Sequence, residues 1–228
     1  MSSRFAGLVL VASLRLVAGA ADLPVEQIVQ QLETADAARR ASFPGCSSTR
    51  QYVVENGRFG VKASMKVQVD TDAHGAKRFR VLEVKGPGPI RKLVFDRMLK
   101  TESAASAPDA QAATRISAKN YSFRIVESST VDGKLRHVLE LEPRTPNPLL
   151  LRGRVWVDAE TSAVIRIEGA PAKNPSFWVR KTHFVHEYTN VGGYWLASLN
   201  KSESEIRIFG VSVVTIRYED YKLKAPAE

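Results

Sequence analysis

Sulfur and histidine are scarce in this chain: its 228 residues include one cysteine and four histidines. Cys46 alone cannot close an internal disulfide, so the fold has to rest on a buried core, which a chain of this length can build. The expectation for Cys46 is a buried small side chain. His74, His137, His183 and His186 form no pair at useful metal-ligand spacing. His183 and His186 lie three apart on a strand pattern, which sends them to opposite faces. No Gly-x-Ser-x-Gly elbow occurs, and no phosphate-cradling glycine loop: Gly86 and Gly88 alternate with Pro87 and Pro89, which have no N–H to offer an anion. Asp158 and Glu160 read most simply as turn residues. These absences leave no candidate nucleophile or acid–base pair, so neither catalysis nor a metal nor a cofactor is expected.

Long apolar runs are missing too, except at the start. Met1 to Ala21 has Arg4, an apolar stretch from Phe5 to Val17 and the small residues Ala18-Gly19-Ala20-Ala21, the three-part layout of a secretory signal. Arg15 interrupts the stretch, which falls short of the roughly 20 residues needed to cross a bilayer. A cleavable signal over 1–21, followed by one domain over 22–228 that works outside the cytoplasm, is therefore expected. Lysine and arginine number 33 against 24 acids, a formal charge of +9. An exported chain meets little nucleic acid, so anionic lipid or a negatively charged partner fits that charge better.

Past the signal, Val25, Ile28, Val29, Leu32 and Ala35 recur at helical spacing, with Asp22 and Pro24 supplying a start. Beyond Pro44-Gly45 the period becomes two. From Arg58 to Asp70, Phe59, Val61, Ala63, Met65, Val67 and Val69 alternate with polar neighbours, giving a strand with one apolar and one polar face. The same texture returns around turn signals, including Asp132-Gly133 and Asn190-Val191-Gly192-Gly193, and a long strand runs from Phe177 to Tyr188. About ten strands result, mainly antiparallel and several of them long, so the sheet must twist and curl. One segment breaks the pattern. After Gly86-Pro87-Gly88-Pro89 the period is helical from Ile90 to Lys100, with Ile90, Leu93, Val94 and Met98 on one face. The Ala- and Ser-rich stretch Ser103 to Ala113 is then expected as a mobile loop.

A curled sheet with one apolar face and two short helices to cover it poses a geometric problem. A concave face lined by large apolar side chains is unstable in water unless plugged. A loosely tethered helix can plug it and be displaced by an acyl chain, each buried CH₂ of which contributes about 0.8 kcal/mol. The aromatics cluster in the C-terminal half, and Trp156, Trp178 and Trp195 fall on strand patterns there. They are candidate wall residues, with Ile90, Leu93, Val94 and Met98 as the candidate lid face.

This layout resembles the LolA/LolB-like outer-membrane lipoprotein-sorting protein family. The likeness is carried by Gly153-Arg154-Val155-Trp156-Val157-Asp158 followed by Val164-Ile165-Arg166-Ile167-Glu168-Gly169, and by the closing Ile206-Arg207-Ile208-Phe209-Gly210 and Tyr218-Glu219-Asp220-Tyr221. It implies a mainly β fold, an unclosed β-barrel over a hydrophobic cavity, with an N-terminal helix and a short inserted lid helix over the concave face. It further implies a monomeric periplasmic carrier of lipid or lipoprotein acyl chains, passing cargo between donor and acceptor membrane proteins without catalysis. Proteins of this fold also serve as envelope-stress sensors or adaptors that bind a membrane-anchored regulatory protein. An integral outer-membrane barrel fits poorly, because its lumen would have to hold charges such as Lys62 and Lys66.

Overall fold

The computed structural model describes residues 23–88, 94–174 and 176–225. The expected signal over 1–21 lies outside the described residues, as do Ile90 and Leu93. Among the described residues, three helices and ten strands follow in the order α1 (Val25–Ala41), β1 (Cys46–Asn56), β2 (Val61–Thr71), β3 (Lys77–Lys85), α2 (Asp96–Ala105), α3 (Pro108–Thr114), β4 (Tyr121–Val131), β5 (Lys134–Pro143), β6 (Leu151–Asp158), β7 (Ala163–Pro171), β8 (Val179–Val191), β9 (Tyr194–Ile206) and β10 (Gly210–Leu223).

All ten strands join one sheet in the order β3-β2-β1-β10-β9-β8-β7-β6-β5-β4. Every neighbouring pair is antiparallel. The first and last strands of the chain, β1 and β10, are partners in mid-sheet, while β3 and β4, consecutive in sequence, are its two edges. The sheet curls into a barrel that does not close, and the segment with α2 and α3 is the connection from one edge to the other. Turn chemistry sets the register where it was expected to: Asp132 and Gly133 both have positive φ, 52° and 76°, the twist-matched geometry of a two-residue hairpin between β4 and β5. Gly153 of β6 faces Gly169 of β7 across the sheet. A Cβ on Gly153 would sit 2.1 Å from the Glu168 carbonyl oxygen, so only glycine permits this approach.

Two helices cover the concave face, each over its own half. Ile28, Val29 and Leu32 of α1 are buried with Tyr121, Leu139, Leu141, Leu150, Val155, Val157 and Ile167 from β4 to β7 and the turn before β6. Glu26 in the first turn and Arg39 and Arg40 in the last complement the helix dipole. Arg39 also donates from Nη1 to the Thr161 carbonyl at 2.9 Å, tying the end of α1 to the β6–β7 turn. The other half is covered from Phe95, buried at the start of α2, against Tyr52, Val54, Ala63, Met65, Val67, Val69 and Ile216 of β1, β2 and β10.

Three expectations need correction. The stretch Ser103 to Ala113 is not a loop: α2 runs on to Ala105, and α3 begins at Pro108 and ends at Thr114. Alanine is the best helix former and proline is suited to a first helical turn, and these outweigh the lack of large apolar residues. The strand expected from Arg58 begins at Val61, since Gly57 to Gly60 form the turn, with Gly60 at φ 60°. The strand expected from Phe177 begins at Val179, leaving Phe177 and Trp178 in the preceding turn.

Candidate functional site: a hollow between the second helix and the sheet

Alternation within the long strands places Trp195, Ala197 and Leu199 of β9 together on the concave face, with Ile216 and Tyr218 of β10 and Tyr52 of β1 beside them. α2 lies over this wall without filling the space. A cavity of about 730 Å³ remains, bounded by Val94, Met98 and Thr101 on the helix side and Tyr188, Leu199 and Ile216 on the sheet side. That volume is within the range of roughly 300–1,000 Å³ common for small-molecule sites. Two further hollows, of about 350 and 430 Å³, continue toward α1 past Trp195 and Leu196.

The wall is apolar with neutral polar points. Tyr188 and Tyr218 have phenol pKa values pushed up to about 12, in both cases chiefly by burial, so both stay protonated. Burial also lowers the pKa of His186, which keeps its ring neutral at neutral pH. Arg97 lines the same space from α2, where its aliphatic stem can cover apolar surface while its head reaches water.

Full charges meet at one place, where α2 is fastened to the sheet. Glu102 of α2 takes an ion pair from Arg50 of β1, a second from Lys77 of β3 at 2.8 Å, and a hydrogen bond from the Tyr52 hydroxyl at 3.1 Å. The Arg50 side chain is only 5% exposed, and its guanidinium lies 4.9 Å above the Tyr218 ring. Burial alone would raise the Glu102 pKa, but Lys77 and Arg50 together hold it below the ordinary carboxylate value. Burial likewise works against the Arg50 charge, and the facing Glu102 carboxylate more than restores it. The Tyr52 phenol is raised, first by burial and then by Glu102. Arg50 Nε is buried with no hydrogen-bond partner, so the guanidinium is not fully satisfied even with α2 in place. Below this cluster Ser106 donates to the Glu102 carbonyl at 2.8 Å, and Gln111 of α3 donates to the Ser106 carbonyl at 2.7 Å.

The residues singled out from the sequence separate into three groups. Val94 and Met98 border the main cavity, and Trp195 borders the adjoining hollows, with its indole Nε1 buried and unpartnered. Ile90 and Leu93 lie outside the described residues. Trp156 and Trp178 line none of these spaces. Trp156 alternates with the buried Val155 and Val157, which turns it to the convex face, where the Arg166 guanidinium sits 5.3 Å from its ring. Trp178 is exposed in the β7–β8 turn. Phe95, Arg50 and Glu102 were not foreseen. One signal for Arg50 was present: it shares parity with Tyr52 and Val54, so a charge stands on an otherwise inward-facing row.

Cys46 is buried, as expected, and burial raises its thiol pKa. Among the described residues no group of three or more His, Cys, Asp or Glu could hold a metal ion, and no helix is long and apolar enough to cross a membrane.

No protein-family model matches the chain, and no curated protein matches it. Several solved structures are similar to it at low identity. A LolA superfamily protein from Nitrosomonas europaea is 11% identical, with 90% of this chain and 96% of that one covered and a TM-score of 0.44. A putative outer membrane lipoprotein-sorting protein domain from Vibrio parahaemolyticus is 13% identical, covering 89% and 94%, with a TM-score of 0.46. The MucA/MucB complex of Pseudomonas aeruginosa matches at 13% identity, 87% and 99% coverage and a TM-score of 0.27.

Proposed function

We propose that this chain is a periplasmic carrier or binding protein that holds the acyl chains of a lipid or lipid-modified protein in the space beneath α2 during sorting to the outer membrane. The observation that supports this reading is the unfilled, mainly apolar cavity of about 730 Å³ between a helix and the sheet it covers. A helix serving only to complete a core would be packed to interior density against its sheet. Here Phe95 seats the start of α2 and the Glu102 cluster fastens it further along, while between them Met98 and Leu99 pack only part-buried against the sheet and Met98 and Thr101 border the unfilled space. Two separated fastenings around an apolar hollow suit a cover that yields to an acyl chain, whose binding needs little hydrogen-bond specificity. Val94, Met98 and Trp195 are the residues proposed to contact it, together with Ile90 and Leu93, which precede Val94 in the sequence.

Protein purified from a producing cell's envelope under mild extraction is expected to carry lipid detectable by mass spectrometry. Met98→Asp, which puts a charge on the cavity wall, is expected to lower that load while the far-ultraviolet circular dichroism stays unchanged. Lipid-free spectra across repeated preparations would overturn the reading. Recovery of a membrane-anchored regulatory protein by lipid-free material would favour the adaptor instead.

A further inference from the structure

The two ends of the barrel differ in chemistry. At one end the turns 72–76, 132–133, 159–162 and 192–193 contain Asp72, Asp132 and Glu160 and no lysine or arginine. At the other end the turns 57–60, 144–150, 172–178 and 207–209 contain Arg58, Arg144, Lys173 and Arg207 and no acid. Four strand acids close to those turns are paired with strand cations, Glu55 with Lys62, Glu142 with Arg152, Glu168 with Arg166 and Glu205 with Arg180, while Glu26 at the start of α1 borders a hollow with Arg144 on the far side of this end. Among the described residues, Arg58, Arg144, Lys173 and Arg207 of these turns have no ion pair.

It also presents the largest exposed apolar groups. Phe177 is 73% exposed and Ile208 67%, and Phe59, Trp178 and Phe209 stand out from the same three neighbouring turns. Those turns are built as one unit. Arg58 donates from Nη1 to the Ile208 carbonyl at 2.7 Å, and Asn56 donates to the Phe209 carbonyl at 2.9 Å. Arg207 donates from Nε to the Phe177 carbonyl at 2.9 Å, and its backbone N–H donates to the Trp178 carbonyl at 2.8 Å. Phe59 and Phe209 have ring centroids 6.0 Å apart, and Phe177 and Trp178 meet edge to face at 5.8 Å. The arginines lie on this surface, Arg207 4.5 Å from the Phe177 ring centroid and Arg58 5.9 Å from that of Phe59.

We propose that this end is a membrane-contact surface that docks on an anionic lipid bilayer. Aromatic and aliphatic tips pre-ordered by backbone hydrogen bonds enter the headgroup region with little ordering cost. Arginines at the same level meet the negative surface, and the three aromatic turns contain no acid to repel it. A protein partner would need acceptors placed to match each arginine, whereas a lipid surface supplies negative charge across the whole end. The inference does not depend on the cargo, since an empty barrel carries the same turns.

Vesicles of phosphatidylcholine alone and of phosphatidylcholine with phosphatidylglycerol distinguish the outcomes, with every variant sharing the wild-type N-terminus. Wild-type protein is expected to co-sediment with the anionic vesicles, to be released by salt, and to bind the neutral ones at least tenfold more weakly. Phe177→Ser/Phe209→Ser is expected to lose about tenfold on anionic vesicles. Arg58→Gln/Arg207→Gln is expected to lose about fivefold per arginine, together with much of the salt dependence. Trp178 emission is expected to shift to the blue on binding, a change lost in Trp178→Phe. These positions are exposed, so melting curves of the variants are expected to match wild type and to separate loss of docking from loss of fold. Equal sedimentation of the wild type and both double variants, or equal binding to neutral and anionic vesicles, would overturn the proposal. So would retention of the wild type by a protein partner with no binding to either vesicle.

Discussion

The half of the barrel under α1 and the half under α2 solve the same problem in opposite ways. Under α1 the helix presents Ile28, Val29 and Leu32 to aliphatic side chains of β5, β6 and β7, with Tyr121 of β4 beside them. Ten buried side chains form one cluster there, and the hollow that reaches Leu32 is about 190 Å³ against about 730 Å³ under α2. Under α2 one large residue, Phe95, is fully buried, Val94, Met98 and Leu99 are part-buried beside an unfilled space, and three charges meet at Glu102. Continuous apolar packing is additive and hard to undo locally. A buried ion cluster concentrates the fastening of a helix in a few atoms, and losing one partner strands the others in a low dielectric. The difference teaches which helix can leave the sheet without the barrel unfolding.

The largest effect is expected from cutting each helix's attachment in turn. Leu32→Ala removes a buried side chain from the filled half and is expected to cost about 2–5 kcal/mol of global stability, read as a lower denaturation midpoint. Glu102→Ala leaves Arg50 buried without a counter-ion. It is expected to weaken α2 docking by about 3–5 kcal/mol, read as faster amide exchange over 94–114 with little change in β4–β7. If Glu102→Ala instead lowers protection uniformly across the sheet, the halves form one cooperative unit and the contrast fails.

A smaller effect sharpens the same point. Replacing Arg50→Met with Glu102→Leu removes the buried guanidinium as well as the attraction, and leaves the more exposed Lys77 head to reach water. Its α2 protection is expected to equal or exceed that of the native chain, as buried pairs exchanged for apolar groups often do. Lipid loading would then fall, because an apolar fastening fills the space beside the hollow.

The smallest effect is expected from pH. Glu102 has a folded-state pKa held below its ordinary value of 4.5, while Arg50 remains charged. Its fastening therefore contributes stability that is complete above that ordinary value and is lost as pH falls through the lowered folded value. Exchange protection of α2 is expected to be flat from neutral pH down to about 4.5 and then to fall, with α1 unaffected over that span. Loss of α2 protection already near neutral pH would show that another group controls it.

Most of the sheet was legible because a strand with one wet face must alternate. Ala63, Met65, Val67 and Val69 are buried on β2 where the period placed them, and the Asp132-Gly133 hairpin has the expected geometry. α1 was legible for the same reason at helical spacing. The site was legible only in part. Val94, Met98 and Trp195 border the hollows, whereas Trp156 lies on a strand as expected but alternates with the buried Val155 and Val157, and which face is concave is not written in the strand pattern itself. The extension of α2 and the presence of α3 were hidden by small side chains, which support a helix by propensity yet leave no apolar period to detect.

The amino-acid order by itself determined what local physics can determine. Two-residue alternation made strands, Asp-Gly and Gly-Gly pairs made turns, and the spacing of Ile28, Val29 and Leu32 made a helix that had to be covered. Tertiary structure alone decided which face is concave, that β10 returns to β1 and leaves β3 and β4 apart, and that Arg50, Lys77 and Glu102 meet. Those outcomes depend on contacts between residues far apart in sequence, and their energies exist only once the sheet has curled and excluded water from between them.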